Sequence, residues 1–388
     1  MPAPSPLFDR AEYEARLDAV RAAMDAARID ALVIVDPANM NWLTGYDGWS
    51  FYVPQAVLVT LDRDPLWWGR PMDLPGAART VWMADDRLAD YPDHLVQQPG
   101  AHAWGALSAL MADAGLRRAR IGLELDACHM TAACAEALRL HLPEANPRDA
   151  TGLVNRLRAV KSPAELALMG RAARRVEAMH AAIRAHIRPG LPKCDLVAEV
   201  VAAGLRDGGD WPAISPIAPS GAEAAAAHLT WDDAPLRHGE ATYFEIAGCV
   251  RRYHCPLSRT YFLGDVPDVF RRAQDAVCAA LEAGLAAARP GETAESVAAA
   301  VYAALRAAGF EKTSRTGYGV GVGYPPDWGE RNVSLRMGDQ TPLAENQTLH
   351  LMPGLWTPAW GVAITETFVV TPAGGRPLAD APRAIYAA

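Results

Sequence analysis

A glutamate in the second half of the chain lies in a pattern that favours a buried carboxylate. Glu245 is the centre of Tyr-Phe-Glu-Ile-Ala (residues 243–247), where apolar and polar residues alternate as in a strand. Burying a carboxylate is costly unless it is paired or hydrogen-bonded. Glu245 is therefore either a satisfied structural acceptor or a group held ready for acid, base or nucleophilic chemistry.

A histidine upstream supplies a second group that can move protons. His228 follows four alanines and precedes Leu-Thr-Trp, at the entry to a strand. A lone histidine is more often structural, but an imidazole can both give and take a proton near neutral pH. Downstream lie the glycine-rich segment 316–330, the His350-Leu-Met-Pro-Gly segment and a late carboxylate, Glu366.

In order and spacing this set resembles the pita-bread family of creatinase, aminopeptidase P and methionine aminopeptidase, over nearly the whole chain. The resemblance implies an α/β (α+β) fold with two domains. Residues 1–150 would form a small creatinase-like α/β domain, and residues 151–388 a pita-bread catalytic domain with two pseudo-symmetric halves. It also raises the expectation that His228 acts as an acid or base, as a histidine does in creatinase.

The departures from that family concern its metal ligands. The family's metallopeptidases hold two metal ions with Asp, Asp, His, Glu and Glu. The matching positions here are Glu245, Pro256, Tyr318, Met352 and Thr365, with Glu366 one residue beyond the last. Proline, methionine and threonine are poor ligands for a hard divalent ion, and tyrosine is a rare one. We therefore expect no metal and no other cofactor, as in creatinase, which hydrolyses a C–N bond of a guanidino compound.

Within this metal-free branch the sequence is similar to the ectoine hydrolases. The segments that carry the similarity are long and compositionally unusual: residues 41–55, 245–249, 253–260, 323–330 and 352–356. The resemblance implies a cytoplasmic hydrolase that opens the cyclic amidine ring of ectoine to N-acetyl-diaminobutyrate. Ala363 stands where an acidic residue usually precedes Ile-Thr-Glu, so hydroxyectoine or creatine is an alternative substrate.

This reaction suggests roles for three residues. The ectoine ring is cationic in water, and opening it requires attack on the carbon between two nitrogens and a proton for the departing nitrogen. We expect Glu245 and Glu366 to bracket the amidine while His228 transfers the proton. Which glutamate acts on the carbon is left open by the sequence.

Other residues are candidates for substrate binding. Hydrogen-bond donors for the substrate carboxylate are expected among Trp49, Tyr52, Tyr318 and the amides of residues 317–323. Asp327 is either a turn cap or a ligand contact. His254 and His350 occupy alternating strand positions and could line the pocket. The resemblance also implies a homodimer in which the N-terminal domain completes the partner's pocket.

The surrounding pattern alternates helices and strands, as expected for a sheet domain followed by a helix-rich catalytic domain. Ser162, Pro163 and Glu165 form a capping-box start for a helix, and two Pro-Gly segments each separate a pair of helices, which suggests related halves. Predicted helices cover 8–27, 104–114, 131–142, 163–186, 195–206, 270–288 and 294–308; predicted strands cover 31–35, 56–60, 65–68, 119–125, 243–247 and 253–262, with a turn at 248–251 and a linker at 143–150.

The composition limits the classes of binding partner that we expect. A net charge of −8 argues against binding to phosphate backbones or anionic membranes, so the expected partner is a small molecule. The six cysteines form no Cys-x-x-Cys pair, and we interpret them as free thiols. The competing interpretations are a metal-dependent Xaa-Pro peptidase, another amidine or guanidine hydrolase, and a solute-binding pseudo-enzyme.

Overall fold

The computed structural model describes residues 6–388, which fall into two compact units divided between Leu157 and Arg158. The boundary expected between residues 150 and 151 lies shortly before this division. Within the described part of the chain, no helix combines the length and apolar character needed to cross a membrane.

The N-terminal unit is a six-stranded mixed sheet with covering helices. Its strand order is β4-β3-β2-β1-β5-β6, and β1 pairs antiparallel with β2 and parallel with β5. In chain order the elements are α1 (Arg10–Ala26), β1 (Ala31–Ile34), α2 (Pro37–Thr44), β2 (Ala56–Thr60), β3 (Leu66–Gly69), α3 (Leu74–Thr80), β4 (Leu88–Asp90), α4 (Trp104–Asp113), β5 (Arg120–Leu123), α5 (Ala132–His141), β6 (Asn146–Asp149) and α6 (Leu153–Leu157).

The predicted helices and strands of this unit are confirmed to within a few residues, because each carries a local signal. The segment expected to be a linker is different. Residues 146–149 form β6, which pairs parallel with β5 at the edge of the sheet. Pro147 lies within this strand, and an edge strand tolerates a residue that cannot donate a backbone hydrogen bond.

The second unit repeats one arrangement, two helices followed by an antiparallel pair of strands, which confirms the expected pseudo-symmetric halves. Its elements are α7 (Pro163–His186), α8 (Lys193–Leu205), β7 (Ala241–Val250), β8 (Tyr253–Phe262), α9 (Asp268–Ala287), α10 (Ala294–Ala307), β9 (Gly317–Tyr324), β10 (Asp327–Ser334), β11 (Thr348–Leu351), β12 (Leu355–Trp356), β13 (Gly361–Val362), β14 (Glu366–Thr371), β15 (Gly374–Pro377) and β16 (Tyr386–Ala387).

Helix α7 begins with the predicted capping box. The Ser162 hydroxyl accepts from the Glu165 amide at 3.2 Å, and the Glu165 carboxylate accepts from the Ser162 amide at 2.9 Å. Both bonds satisfy amides that have no partner inside the helix. This local signal fixes where the helix that packs against β7 and β8 starts.

The hairpin of β7 and β8 is longer than predicted, and its turn lies elsewhere. Both strands are buried at every position, and the chain reverses at Arg251 and Arg252, which have φ angles of 51° and 67°. Gly248 was expected to begin the turn but lies inside β7. A Cβ at this position would lie 2.0 Å from the Ala172 carbonyl oxygen of α7. The glycine therefore permits close contact between helix and strand.

Two glycines of β9 likewise permit close contact with neighbouring strands. A Cβ on Gly319 would lie 1.9 Å from the side-chain oxygen of Asn332 on β10, and one on Gly317 would lie 2.3 Å from the His350 carbonyl oxygen on β11. These glycines make room for neighbouring strands.

Candidate active site

A cavity of about 630 Å³ in the second unit gathers several of the predicted residues. Its walls come from the segment before β7, from β7 itself, from the approach to β9 and from the start of β10. The lining residues are Ala213, Ile214, Ser215, Ile217, Ala227, His228, Thr230, Glu245, Lys312, Ser314, Arg315, Tyr318, Pro326, Asp327, Met352 and Trp356.

Glu245 is the buried carboxylate of this cavity, with a relative exposure of 5%. Its backbone exchanges two hydrogen bonds with Ile217, at 2.9 and 3.1 Å, and it is opposite Ser258 in the hairpin register. Among residues 6–388 its carboxylate has no hydrogen-bond or ion-pair partner. Burial raises the pKa of Glu245 to about 7. The side chain is therefore poised between its neutral and charged forms near neutral pH.

His228 is an exposed side chain at the cavity wall, on the loop that precedes β7. The loop is fastened on both sides of the histidine. The Lys193 ammonium lies 2.8 Å from the Glu223 carboxylate and 2.7 Å from the Asp232 carboxylate. The Tyr243 hydroxyl donates to the Ala226 carbonyl at 3.0 Å. A nearly buried lysine on α8 thus holds the two flanks of the histidine loop together.

Tyr318 on β9 lines the same cavity, as predicted for a substrate contact. Its hydroxyl accepts from the Trp328 indole N–H at 2.8 Å and lies 3.1 Å from Nδ1 of His350. Burial raises the pKa of Tyr318 well above its ordinary value, so the phenol stays protonated.

Two cationic residues of the cavity were not singled out from the sequence. Lys312 donates to the Gly354 carbonyl at 3.0 Å, and its ammonium lies 5.1 Å from the Trp356 ring centroid. Burial lowers the pKa of Lys312 to about 8. The Arg315 guanidinium lies 4.5 Å from the Tyr318 ring centroid. The available signal was the basic pair in Lys-Thr-Ser-Arg directly before the glycine-rich strand.

Asp327 and the two strand histidines occupy different positions. Asp327 lines the cavity and also accepts from the Gly329 amide at 2.8 Å, so the turn-cap and pocket interpretations hold together. His254 and His350 are fully buried and do not belong to the cavity lining. His254 accepts from the Ala213 amide at 2.9 Å and so supports one wall, and His350 supports Tyr318.

Glu366 was expected to face the amidine, but the structure does not bring it into the cavity lining. Its carboxylate lies 2.8 Å from the Arg259 guanidinium and 3.1 Å from that of Arg383. Thr365, the preceding residue, instead places its hydroxyl 2.8 Å from His350 Nε2. A carboxylate neutralised by two arginines is suited to a structural role.

Trp49 and Tyr52, the other predicted binding residues, belong to the N-terminal unit. Their relative exposures are 47% and 69%, and the Trp49 ring packs edge-on to Phe51 with centroids 5.2 Å apart. Tyr52 lines a separate cavity of about 360 Å³ within that unit. Neither residue lines the cavity that contains Glu245.

The residues at the family's metal positions do not fit a pair of divalent ions. Of the five, only Glu245 carries a carboxylate, while Pro256 has no side-chain donor and Met352 offers a soft thioether. The hydroxyls of Tyr318 and Thr365 already take part in hydrogen bonds to other protein groups. In the described part of the chain, no three His, Cys, Asp or Glu side chains are grouped to hold an ion.

Comparison with known proteins agrees with this fold. The chain is 47% identical to the ectoine hydrolase of Halomonas elongata, with 98% of each chain covered. It is 38% identical to an uncharacterized hydrolase/peptidase of Sinorhizobium fredii, with 97% of each covered. Among solved structures, dipeptidase PepE from Mycobacterium ulcerans is similar with a TM-score of 0.81 and 26% identity, covering 98% of this chain and 99% of that one.

Two family models match, one in each unit. Residues 16–160 match the creatinase/prolidase N-terminal domain, and residues 167–372 match metallopeptidase family M24, a family of hydrolytic enzymes. Together with the helix and strand order described above, these matches establish that the chain belongs to the creatinase-like, pita-bread family of hydrolases.

Proposed function

We propose that this enzyme hydrolyses ectoine, opening its cyclic amidine ring to give N-acetyl-diaminobutyrate. The observation that carries the proposal is the unpaired carboxylate of Glu245 in a cavity that also holds the cations Lys312 and Arg315. The 47% identity to the Halomonas elongata ectoine hydrolase supports the choice of substrate.

The charges of this cavity match those of the substrate. Ectoine carries a cationic amidinium and a carboxylate on one small ring. An amidinium beside Glu245 favours the charged form of that glutamate and lowers its pKa from the value of the empty cavity. The substrate carboxylate would be bound by the Lys312 ammonium and the Arg315 guanidinium. A substrate with only one of these charges would leave part of the cavity without a partner.

The reaction needs a base and a proton donor, which we assign to Glu245 and His228. Glu245 takes a proton from water as the water oxygen bonds to the amidine carbon, and the C=N electron pair moves to nitrogen. Protonated His228 then gives its proton to the nitrogen whose bond to that carbon breaks. The hydroxyl on the carbon becomes the amide carbonyl and passes its proton back to His228. The proton on Glu245 moves to the released amine, which leaves as an ammonium group.

We further propose that this reaction is independent of metal, because the five family positions supply one carboxylate in place of five metal ligands. In this scheme Glu366 does not meet the amidine but remains paired with Arg259 and Arg383. The positive charge that a metal would supply to polarise a carbonyl is unnecessary, since the amidinium is already cationic. Ala363 is buried in an apolar cluster with Ile217 and Tyr243, so no acidic side chain is placed there.

The test is ring opening by purified protein, followed by NMR with ectoine, hydroxyectoine and creatine. We expect ectoine to be consumed. His228→Ala should lower kcat by about 100-fold or more, the typical contribution of general acid–base catalysis. The matched control is His94→Ala, an exposed histidine of the other unit, which should leave the rate unchanged. Near-normal turnover by His228→Ala would refute its assignment, and no consumption of ectoine would refute the proposed substrate.

A second measurement separates the two ways in which Glu245 could act. Rapid quenching followed by mass spectrometry detects substrate mass on the peptide that contains Glu245 only if its oxygen bonds directly to the amidine carbon. An unmodified peptide during turnover is expected for the water-activating role. An adduct that forms in the wild type and is absent from Glu245→Gln would instead show that Glu245 attacks the amidine carbon directly.

The proposal extends to assembly. In a homodimer, the exposed aromatic residues Trp49 and Tyr52 of one copy would complete the cavity of the partner subunit. Sedimentation should then show a dimer, and Tyr52→Ala should raise KM. A fully active monomer would exclude this arrangement.

A further inference from the structure

The hydroxyl of Tyr318 has protein partners on two sides. The Trp328 indole N–H can only donate, so the tyrosine oxygen must accept at 2.8 Å. His350 Nδ1 lies 3.1 Å from the same oxygen, and either atom could be the donor. The direction of this second bond decides where the tyrosine proton goes.

The direction of this bond follows from the contacts of the other ring nitrogen of His350. Its Nε2 lies 2.8 Å from the Thr365 hydroxyl oxygen. That oxygen already accepts the Ser258 amide N–H at 2.7 Å. Thr365 and His350 are both completely buried, so their protons have to find acceptors inside the protein.

Counting protons favours the arrangement that gives the buried Thr365 proton an acceptor. If His350 carried its proton on Nε2, the Thr365 oxygen would accept two N–H groups, and its own proton would have no acceptor among residues 6–388. If the proton is on Nδ1, Thr365 donates to Nε2 and His350 donates to Tyr318. Burial lowers the pKa of His350 to about 3, so the ring is neutral and carries a single N–H.

In this arrangement the tyrosine oxygen accepts from both Trp328 and His350. Its own proton can point to neither of them and has to be given to a third group. Tyr318 lines the cavity, and the Arg315 guanidinium lies 4.5 Å from its ring centroid, on the wall that also contains Lys312. An amidinium offers only N–H groups, so the acceptor on the substrate is its carboxylate.

We propose that Thr365, acting through His350, fixes Tyr318 as a hydrogen-bond donor to the substrate carboxylate, and that this donor selects for carboxylate-bearing amidines. Thr365 and His350 are positioning residues, whereas Tyr318 touches the substrate. The inference rests on the proposed function for the identity of the substrate. The proton arrangement itself is a property of the protein without substrate.

The proton arrangement can be measured directly. In protein labelled with ¹⁵N-histidine, the nitrogen shifts identify which ring nitrogen carries the proton, and His350→Gln assigns the signal among the ten histidines. We expect the Nδ1-protonated form in the wild type and in Thr365→Ser, which keeps the hydroxyl. Thr365→Val should shift the signal toward a mixture of the two forms. An Nε2-protonated wild type, or identical shifts in Thr365→Val, would overturn the proposal.

The selectivity is tested with ectoine and with a ring analogue that lacks the carboxylate. Tyr318→Phe removes one hydrogen bond to a charged group and should raise KM for ectoine about 10- to 100-fold. The inhibition constant of the analogue should hardly change. Thr365→Val keeps the tyrosine and should show the same substrate dependence, which covers the case in which Tyr318→Phe folds poorly. Equal losses for both ligands would overturn the proposal.

The two measurements also separate this inference from the proposed function. If the protein does not consume ectoine, the proposed function fails, while the histidine shifts still decide the proton arrangement. If ectoine is consumed but the wild-type His350 is protonated on Nε2, only the inference fails.

Discussion

Replacing Glu245 by glutamine should make the protein more stable and less active, and the gain in stability should depend on pH. The carboxylate lies on a strand that is buried at every position and has no partner among the described residues. The folded state therefore disfavours its charge, whereas in the unfolded chain the carboxylate is fully hydrated. Glutamine has a similar shape and does not ionise.

The size of the effect follows from the pKa of Glu245. Burial raises it from 4.5 to about 7, and at about 1.4 kcal/mol for each pH unit this costs the folded state about 3 kcal/mol when the group is charged. Because folding raises the pKa of this carboxyl group, stability falls as the pH rises. Below 4.5 the group is protonated in both states, and stability is lost as pH rises from there to about 7. Removing this ionisation contributes about 1 kcal/mol at pH 5 and about 3 kcal/mol at pH 8, so the stability of Glu245→Gln relative to wild type should grow by about 2 kcal/mol between the two pH values.

The assay is urea denaturation of both proteins at these two pH values. The cost of burying the glutamine amide is the same at each pH, so it cancels in the comparison. Glu345→Gln makes the same chemical change at an exposed side chain and should show no pH-dependent gain. A stability difference between Glu245→Gln and wild type that does not grow with pH would refute the unpaired, buried state of this carboxylate.

Four further outcomes are expected. The rate kcat/KM should fall below about pH 7, where Glu245 is protonated in the free enzyme, and an unchanged rate at pH 5 would contradict its role as a base. KM should rise above about pH 8 as Lys312 loses its charge, and Lys312→Met should abolish this rise in a pH profile of KM. Lys193→Met removes the ammonium that pairs with both flanks of the His228 loop and should lower kcat at least about tenfold, with partial recovery in Lys193→Arg. Equal rates in the two variants would exclude a role of Lys193 in positioning this loop. Activity should persist in protein dialysed against a chelator, and its loss with recovery on adding a divalent ion would instead support the peptidase interpretation.

What the sequence predicted well depends on neighbouring residues. The capping box at Ser162 and Glu165 involves residues three apart, so the start of α7 could be predicted directly. The placement of His228 and Glu245 at one cavity followed from the family pattern. Their local sequences alone had left a structural role open for each.

The features that could not be predicted from the sequence depend on contacts between residues that are far apart in the chain. Gly248 resembles a turn residue until α7 is seen to pack against it. Glu366 resembles a second active-site carboxylate until Arg259 and Arg383 are found beside it, 107 and 17 residues away in sequence. Lys193 precedes both of its partners by 30 or more residues, and no local pattern marks a lysine that fastens a distant loop.

The candidate active site combines one group on the buried hairpin of β7 and β8 with groups on the surrounding loops. Glu245 is built into a strand with ten consecutive buried residues, whereas His228, Lys312 and Arg315 project from loops outside it. Directed evolution that randomises the loop positions flanking Lys312 and Arg315 could therefore retarget this scaffold to other zwitterionic rings. Such libraries would leave unchanged the carboxylate of Glu245 and the buried hairpin around it.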